Sequence, residues 1–168
     1  ESAPNKGTKI TVTVYLKLQE NEKEQEKELL DLPVLVVDDD KTCCESTVAT
    51  LQEIGIAGEW VLTGKEAVER CAARHKTGRD YFAVILDWKM PEMDGIATAR
   101  RIRECVGEEV TIIILTSFDF SEIEEEARAV GVNAFMAKPL FRSRLTATLR
   151  QFTSGKKEKN ARNYLEDF

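Results

Sequence analysis

The sequence predicts an α/β domain, a doubly wound five-stranded parallel sheet carrying five helices. Three observations lead there. Between residues 33 and 152, short apolar runs alternate with amphipathic segments. The runs lack the polar alternation of a half-exposed strand, which marks strands covered on both faces. The segments between them repeat apolar residues every third or fourth position, so each helix presents one apolar stripe. Strictly alternating strands and helices imply crossover connections and a parallel sheet with helices on both faces.

Taken in order, residues 8–18 come first, where Ile10, Val12, Val14, Leu16 and Leu18 alternate with Lys9, Thr11, Thr13, Tyr15 and Lys17. That period of two predicts a strand with one buried face. Residues 19–32 are rich in Glu, Lys and Gln and read as a solvated, helical, charged linker. It ends near Leu32-Pro33, since proline cannot continue a helix. The domain strands are then expected at Val34 to Val37, Glu59 to Leu62, Phe82 to Leu86, Val110 to Leu115 and Ala134 to Ala137. The helices follow from the spacings Cys44/Val48/Leu51, Val68/Cys71/His75, Ile96/Ala99/Ile102/Val106, Ile123/Ala127/Val130 and Leu145/Leu149/Phe152. Residues 153–168, opening Thr-Ser-Gly-Lys-Lys, read as a second linker.

Composition narrows the functional classes. With 42% hydrophobic and 32% charged residues over 168 positions, the chain has enough apolar content for one core plus tails. The net charge is -6, and residues 33–152 hold fifteen Lys/Arg against twenty Asp/Glu. A nucleic-acid binder shows the opposite, a clustered excess of cations along phosphates. No apolar run approaches the roughly 20 residues that span a bilayer, so no membrane contact by this chain is expected, and the scattered thiols suit a reducing, cytoplasmic setting. Cys43, Cys44, Cys71 and Cys105 show no metal-ligand spacing and read as packing residues. His75 stands between Arg74 and Lys76 and reads as helix surface without an acidic neighbour.

Ligands of such sheets sit beyond the carboxyl ends of the strands, so the residues there carry the argument. After the first strand come Asp38, Asp39 and Asp40; after the third, Asp87; after the fourth, Thr116 and Ser117; after the fifth, Lys138 and Pro139. Singly, each has an ordinary explanation as cap, turn or solvated side chain. Jointly they do not. Converging carboxylates repel unless a cation offsets them, and Mg²⁺ takes carboxylate oxygens while leaving room for a phosphoryl oxygen. A lysine and a threonine hydroxyl opposite would contact that phosphoryl group, and a carboxylate can serve as its nucleophile.

These runs, Val34-Leu-Val-Val-Asp-Asp-Asp40, Val84-Ile-Leu-Asp-Trp-Lys-Met-Pro-Glu-Met-Asp-Gly95, Ile113-Ile-Leu-Thr-Ser117 and Ala134-Phe-Met-Ala-Lys-Pro139, resemble the receiver domain of two-component response regulators. The resemblance covers residues 33–152 and implies a flavodoxin-like three-layer sandwich with strand order 2-1-3-4-5. It implies that Asp87 accepts a phosphoryl group from a phosphohistidine. It further implies that Mg²⁺, or Mn²⁺, is bound by Asp38, Asp39, Asp87 and the Lys89 main-chain carbonyl. Thr116 and Lys138 would contact the phosphoryl group, and the Lys138-Pro139 bond would be cis. Phe135 takes the family's aromatic switch position and reads equally well as core. Pro91, Gly95 and Pro139 would be structural, while Lys89 and Phe118 would flank the attacking water and set the lifetime of the phosphoryl group.

The strand at residues 8–18 is similar to the last strand of a sensor kinase ATP-binding domain. The chain is therefore expected to be cut from a hybrid sensor histidine kinase, with a further domain possible after residue 168. The implied partners are a phosphohistidine-bearing kinase domain, in cis or in trans, and a histidine phosphotransfer protein. Alternatives are a stand-alone response regulator and a silent receiver that only docks partners. A Mg²⁺-dependent aspartyl-phosphate hydrolase is a further alternative. Those enzymes place a second Asp two residues after the nucleophile, where this chain has Lys89.

Overall fold

The computed structural model describes residues 28–117, 121 and 123–153, with short pieces at 2–3, 7–8 and 12–13. Among the described residues, five strands make up the domain sheet: β1 (Pro33–Val37), β2 (Ala57–Val61), β3 (Ala83–Asp87), β4 (Thr111–Thr116) and β5 (Ala134–Ala137). Between and after them lie α1 (Lys41–Glu53), α2 (Gly64–Lys76), α3 (Gly95–Val106), α4 (Glu124–Ala129) and α5 (142–153). The strands pair in parallel in the order β2-β1-β3-β4-β5, the predicted 2-1-3-4-5 arrangement.

Side-chain alternation along each strand divides the core in two. Leu35, Val37, Val84, Leu86, Ile112 and Ile114 pack beneath α2, α3 and α4. Val34, Val36, Ala83, Ile85, Ile113 and Leu115 pack beneath α1 and α5. The central strands β3 and β4 are buried at every position, which is why their sequences show no polar alternation. Edge strand β2 has exposed residues at Ala57 and Glu59, and its apolar signal is correspondingly weak.

Local chemistry fixes the helix starts. The Asp40 carboxylate accepts from the amides of Thr42 and Cys43, Thr63 accepts from Glu66, and Asp94 accepts from Ala97 at 2.8 Å, capping α1, α2 and α3. Gly95 opens α3 against the end of β3, where a Cβ would stand 2.6 Å from the Asp87 carbonyl. Only glycine allows that approach.

Several expectations change. The strands at 59–62 and 82–86 shift to Ala57–Val61 and Ala83–Asp87. Asp87 and Thr116 become the last residues of β3 and β4 rather than loop residues, because the parallel ladders run on to Asp87↔Leu115 and Thr116↔Ala137. Residues 28–31 form a turn whose Leu29 is fully buried in the α1–α5 core, tied down by the Asp31 amide on the Gly55 carbonyl at 2.9 Å. The packed unit thus begins before Pro33. His75 does have an acidic neighbour, with its Nδ1 3.0 Å from the Asp80 carboxylate beyond the end of α2. The predicted strand over 8–18 lies mostly outside the described residues; Gly7–Thr8 pairs antiparallel with Ser2–Ala3, and residues 12–13 form no strand, with Val12 exposed. Residues 154–168 and Phe118 also lie outside the described residues. Among those described, no helix is long and apolar enough to cross a membrane.

Candidate functional site

The carboxyl edges of β1, β3, β4 and β5 bring Asp38, Asp87, Thr116 and Lys138 together. Asp38 (3% exposed), Asp87 (9%) and Thr116 (1%) are buried, whereas Asp39 stands exposed at the rim. Carboxylate oxygens from Asp38, Asp39 and Asp87 lie within 4.8 Å of one another. The Lys138 Nζ donates to Asp38 Oδ2 at 2.6 Å and to Asp87 Oδ1 at 2.7 Å, so one cation spans two of the three anions. The other Asp38 oxygen accepts from the Asp40 amide at 2.9 Å. These bonds fix both Asp38 oxygens while Asp40 is committed to capping α1.

Charge explains the protonation behaviour. Burial pushes the Asp87 carboxyl above the usual carboxylate range; Lys138 pulls it down, and the neighbouring Asp38 and Asp39 charges push it up again. Burial alone would lower the Lys138 ammonium, but its bonds to Asp38 and Asp87 outweigh burial and hold it above its ordinary value. Lys138 therefore stays charged. Three carboxylates against one ammonium leave an excess of negative charge in a half-enclosed space. All-oxygen donors of this kind suit a hard divalent cation. The residues present fit one, since Asp38, Asp39 and Asp87 each offer one carboxylate oxygen within 4.8 Å of the others.

The open side of the cluster is a cavity of about 120 Å³ lined by Asp87, Trp88, Lys89, Thr116, Ser117 and Lys138. Beside it, α1 and the turn after β5 bound a wider groove of about 550 Å³ that includes Thr42, Cys43, Ser46, Pro139 and Leu140. The Lys138-Pro139 bond is cis, as the resemblance implies. Met90 is buried, Pro91 exposed, and the Gly95 amide closes the turn on the Trp88 carbonyl at 2.8 Å.

Lys89 is exposed, with its Nζ 5.0 Å from the centroid of the Trp88 ring. Phe135 lies apart from the cavity lining. It is half-buried against the α2–α3–α4 core, and the Arg128 guanidinium stands 5.4 Å from its ring centroid. Sequence reasoning passed over Trp88 as a wall of the cavity. The available signal was its place directly after Asp87 at a strand end.

Comparison with known proteins agrees with this geometry. The sequence profile of the response regulator receiver domain matches residues 34–150. Hybrid signal transduction histidine kinase L of Dictyostelium discoideum is 31% identical over 135 residues, covering 78% of this chain and 8% of that protein. The chain thus corresponds to a small part of this relative. The receiver domain of the Arabidopsis thaliana histidine kinase CKI1, solved with Mg²⁺, superposes with a TM-score of 0.66 at 30% identity, covering 74% of this chain and 94% of that one. The receiver domain of the Pseudomonas aeruginosa sensor histidine kinase PA1611, with a magnesium ion in its active-site cleft, gives 0.65 at 27% identity, covering 74% and 98%. On the profile match, the shared strand order and the acidic edge of the sheet, the chain belongs to the response regulator receiver domain family.

Proposed function

We propose that Asp87 is the phosphoacceptor of this receiver domain, and that the chain relays a phosphoryl group from a phosphohistidine in a two-component pathway. The supporting observation is the bridge from Lys138 to both Asp38 and Asp87 beside an open cavity. A carboxylate oxygen of Asp87 attacks phosphorus, the phosphorus–nitrogen bond of the donor breaks, and the departing imidazole nitrogen takes up a proton. A bound Mg²⁺ or Mn²⁺ would neutralise charge on the carboxylates and the phosphoryl oxygens. Asp38, Asp39 and Asp87, with the Lys89 carbonyl, are the residues we assign to hold it. Its presence in the Arabidopsis and Pseudomonas receiver structures supports that assignment.

Lys138 then exchanges one carboxylate partner for a phosphoryl oxygen as a point charge, and Thr116 donates its hydroxyl from the cavity wall. Lys89 lines the same cavity, which supports a role for it in restricting an attacking water. The groove along α1 offers room for the helix that carries the donor histidine. We assign the receiver to a hybrid histidine kinase, supported by the Dictyostelium relative. The donor is then that kinase's phosphohistidine domain or a histidine phosphotransfer protein.

N-phosphoimidazole, the bare analogue of phosphohistidine, tests the reading. With Mg²⁺ it should add one phosphoryl group that hydroxylamine removes, as expected of an acyl phosphate, and that maps to the peptide containing Asp87. A hydroxylamine-stable label, or one on another peptide, contradicts it.

A further inference from the structure

Helices α2 and α3 lie side by side on one face of the sheet, and their register is fixed at their first turns. A Cβ on Gly64 would collide with the Thr98 hydroxyl, so these two positions touch across the interface. Seven residues on, two helical turns, the same stripes present Cys71 on α2 and Cys105 on α3. Residues seven apart on a helix fall within about 20° of one another, so Cys71 and Cys105 lie on the stripes that carry Gly64 and Thr98. The other flank of α3 is accounted for: Arg103 reaches away to the Gly131 carbonyl at 2.8 and 3.1 Å and to Asn133 at 2.8 Å. Residue 105, two positions further round the helix, therefore faces α2.

The pair is chemically asymmetric. Cys71 is buried, and Cys105 is exposed. Burial pushes the Cys71 thiol up to about 12, and Asp80 and then Cys105 raise it further.

From this juxtaposition we infer that Cys71 and Cys105 form an oxidation-sensitive dithiol, a second modification site independent of the phosphoacceptor reading. The oxidant class is a hydroperoxide. The Cys105 sulfur attacks the peroxide oxygen, giving a sulfenic acid and releasing water. The Cys71 sulfur then attacks that sulfenic sulfur, expelling its oxygen as a second water that carries the Cys71 proton. In sum, two thiols and one hydrogen peroxide give one disulfide and two waters. The bridge closes a loop of about 35 residues and pins the end of α2 to the end of α3.

The test is hydrogen peroxide treatment of the whole chain at neutral pH, followed by mass mapping without reductant. The expected product has lost two hydrogens and shows Cys71 linked to Cys105. It melts about 10 °C higher than the reduced chain and reverts with dithiothreitol. The Cys43→Ser, Cys44→Ser double variant should form the same link, and Cys105→Ser, which alters only an exposed side chain, should form none. A Cys105 that oxidises to sulfinic acid with no link to Cys71 overturns the proposal. So does a disulfide that joins any other pair, or one that persists in Cys105→Ser.

Discussion

Lys138 and Asp87 carry opposite halves of the site's electrostatics, and their variants should move stability in opposite directions. Lys138→Ala removes the ammonium that spans two buried carboxylates. Leaving buried charge uncompensated costs about 3 kcal/mol, and we expect urea denaturation without divalent cations to show a loss of that order. Asp87→Asn removes one of three mutually repelling carboxylates. Since the Asp87 pKa is raised in the folded chain, its contribution to stability is present in acid and fades as pH rises through that pKa. At neutral pH the charged group therefore destabilises the cation-free fold, and Asp87→Asn should stabilise it by on the order of 1 kcal/mol. A destabilised Asp87→Asn would show that the carboxylate is a structural hydrogen-bond acceptor first.

The residue scale also shows what the sequence could disclose. Asp38, Asp39, Asp87, Thr116 and Lys138 were legible because strand ends are legible, and the sheet gathers those ends along one edge. The Asp80 partner of His75 was not legible, because it joins the end of α2 to the following loop through a turn whose path the periodicity does not encode. The same holds for Tyr81, whose hydroxyl donates to Glu59 at 3.0 Å beneath the Arg74 guanidinium. The Tyr81–Glu59 bond links residues 22 positions apart in sequence.

Among the elements, α3 is the one most directly coupled to the site, since it begins against the last residue of β3. Asp94→Ala removes the cap that holds the Ala97 amide and should cost about 1 kcal/mol. Gly95→Ala places a Cβ 2.6 Å from the Asp87 carbonyl and 3.1 Å from the Trp88 Cα. Backbone on both sides cannot yield, so we expect a loss of about 2 to 3 kcal/mol from overpacking. Denaturation midpoints should fall in that order with unchanged slopes. Equal losses would place the Gly95 requirement in the helix cap rather than in the approach to β3.

Legibility varied among the elements for physical reasons. The central strands declared themselves by unbroken apolar runs such as Ile112 to Leu115, while β2, exposed at Glu59, shifted from its expected bounds. Helix α4 showed only Ile123, Ala127 and Val130 as a stripe, and it runs for six residues with no side-chain cap. The turn that buries Leu29 hid within a charged stretch, since one apolar residue there makes no pattern.

For the molecule as a whole, the same cluster that weakens the cation-free fold should make the fold responsive to cations. A ligand that binds only the folded chain stabilises it by mass action, about 2.7 kcal/mol at a hundredfold excess over its dissociation constant. Mg²⁺ should therefore raise the melting temperature, and Asp39→Ala should abolish the rise at little cost to the fold because Asp39 is exposed. An undiminished Mg²⁺ response in Asp39→Ala would move the cation elsewhere.

The most direct test of the central claim, that Asp87 in this acidic cluster is a cation-dependent phosphoacceptor, is intact-mass measurement after incubation with acetyl phosphate. We expect one added phosphoryl group per chain with Mg²⁺, none with a chelator, and none in Asp87→Asn under either condition. Labelling of Asp87→Asn equal to that of the native chain, or labelling that a chelator leaves unchanged, would contradict it.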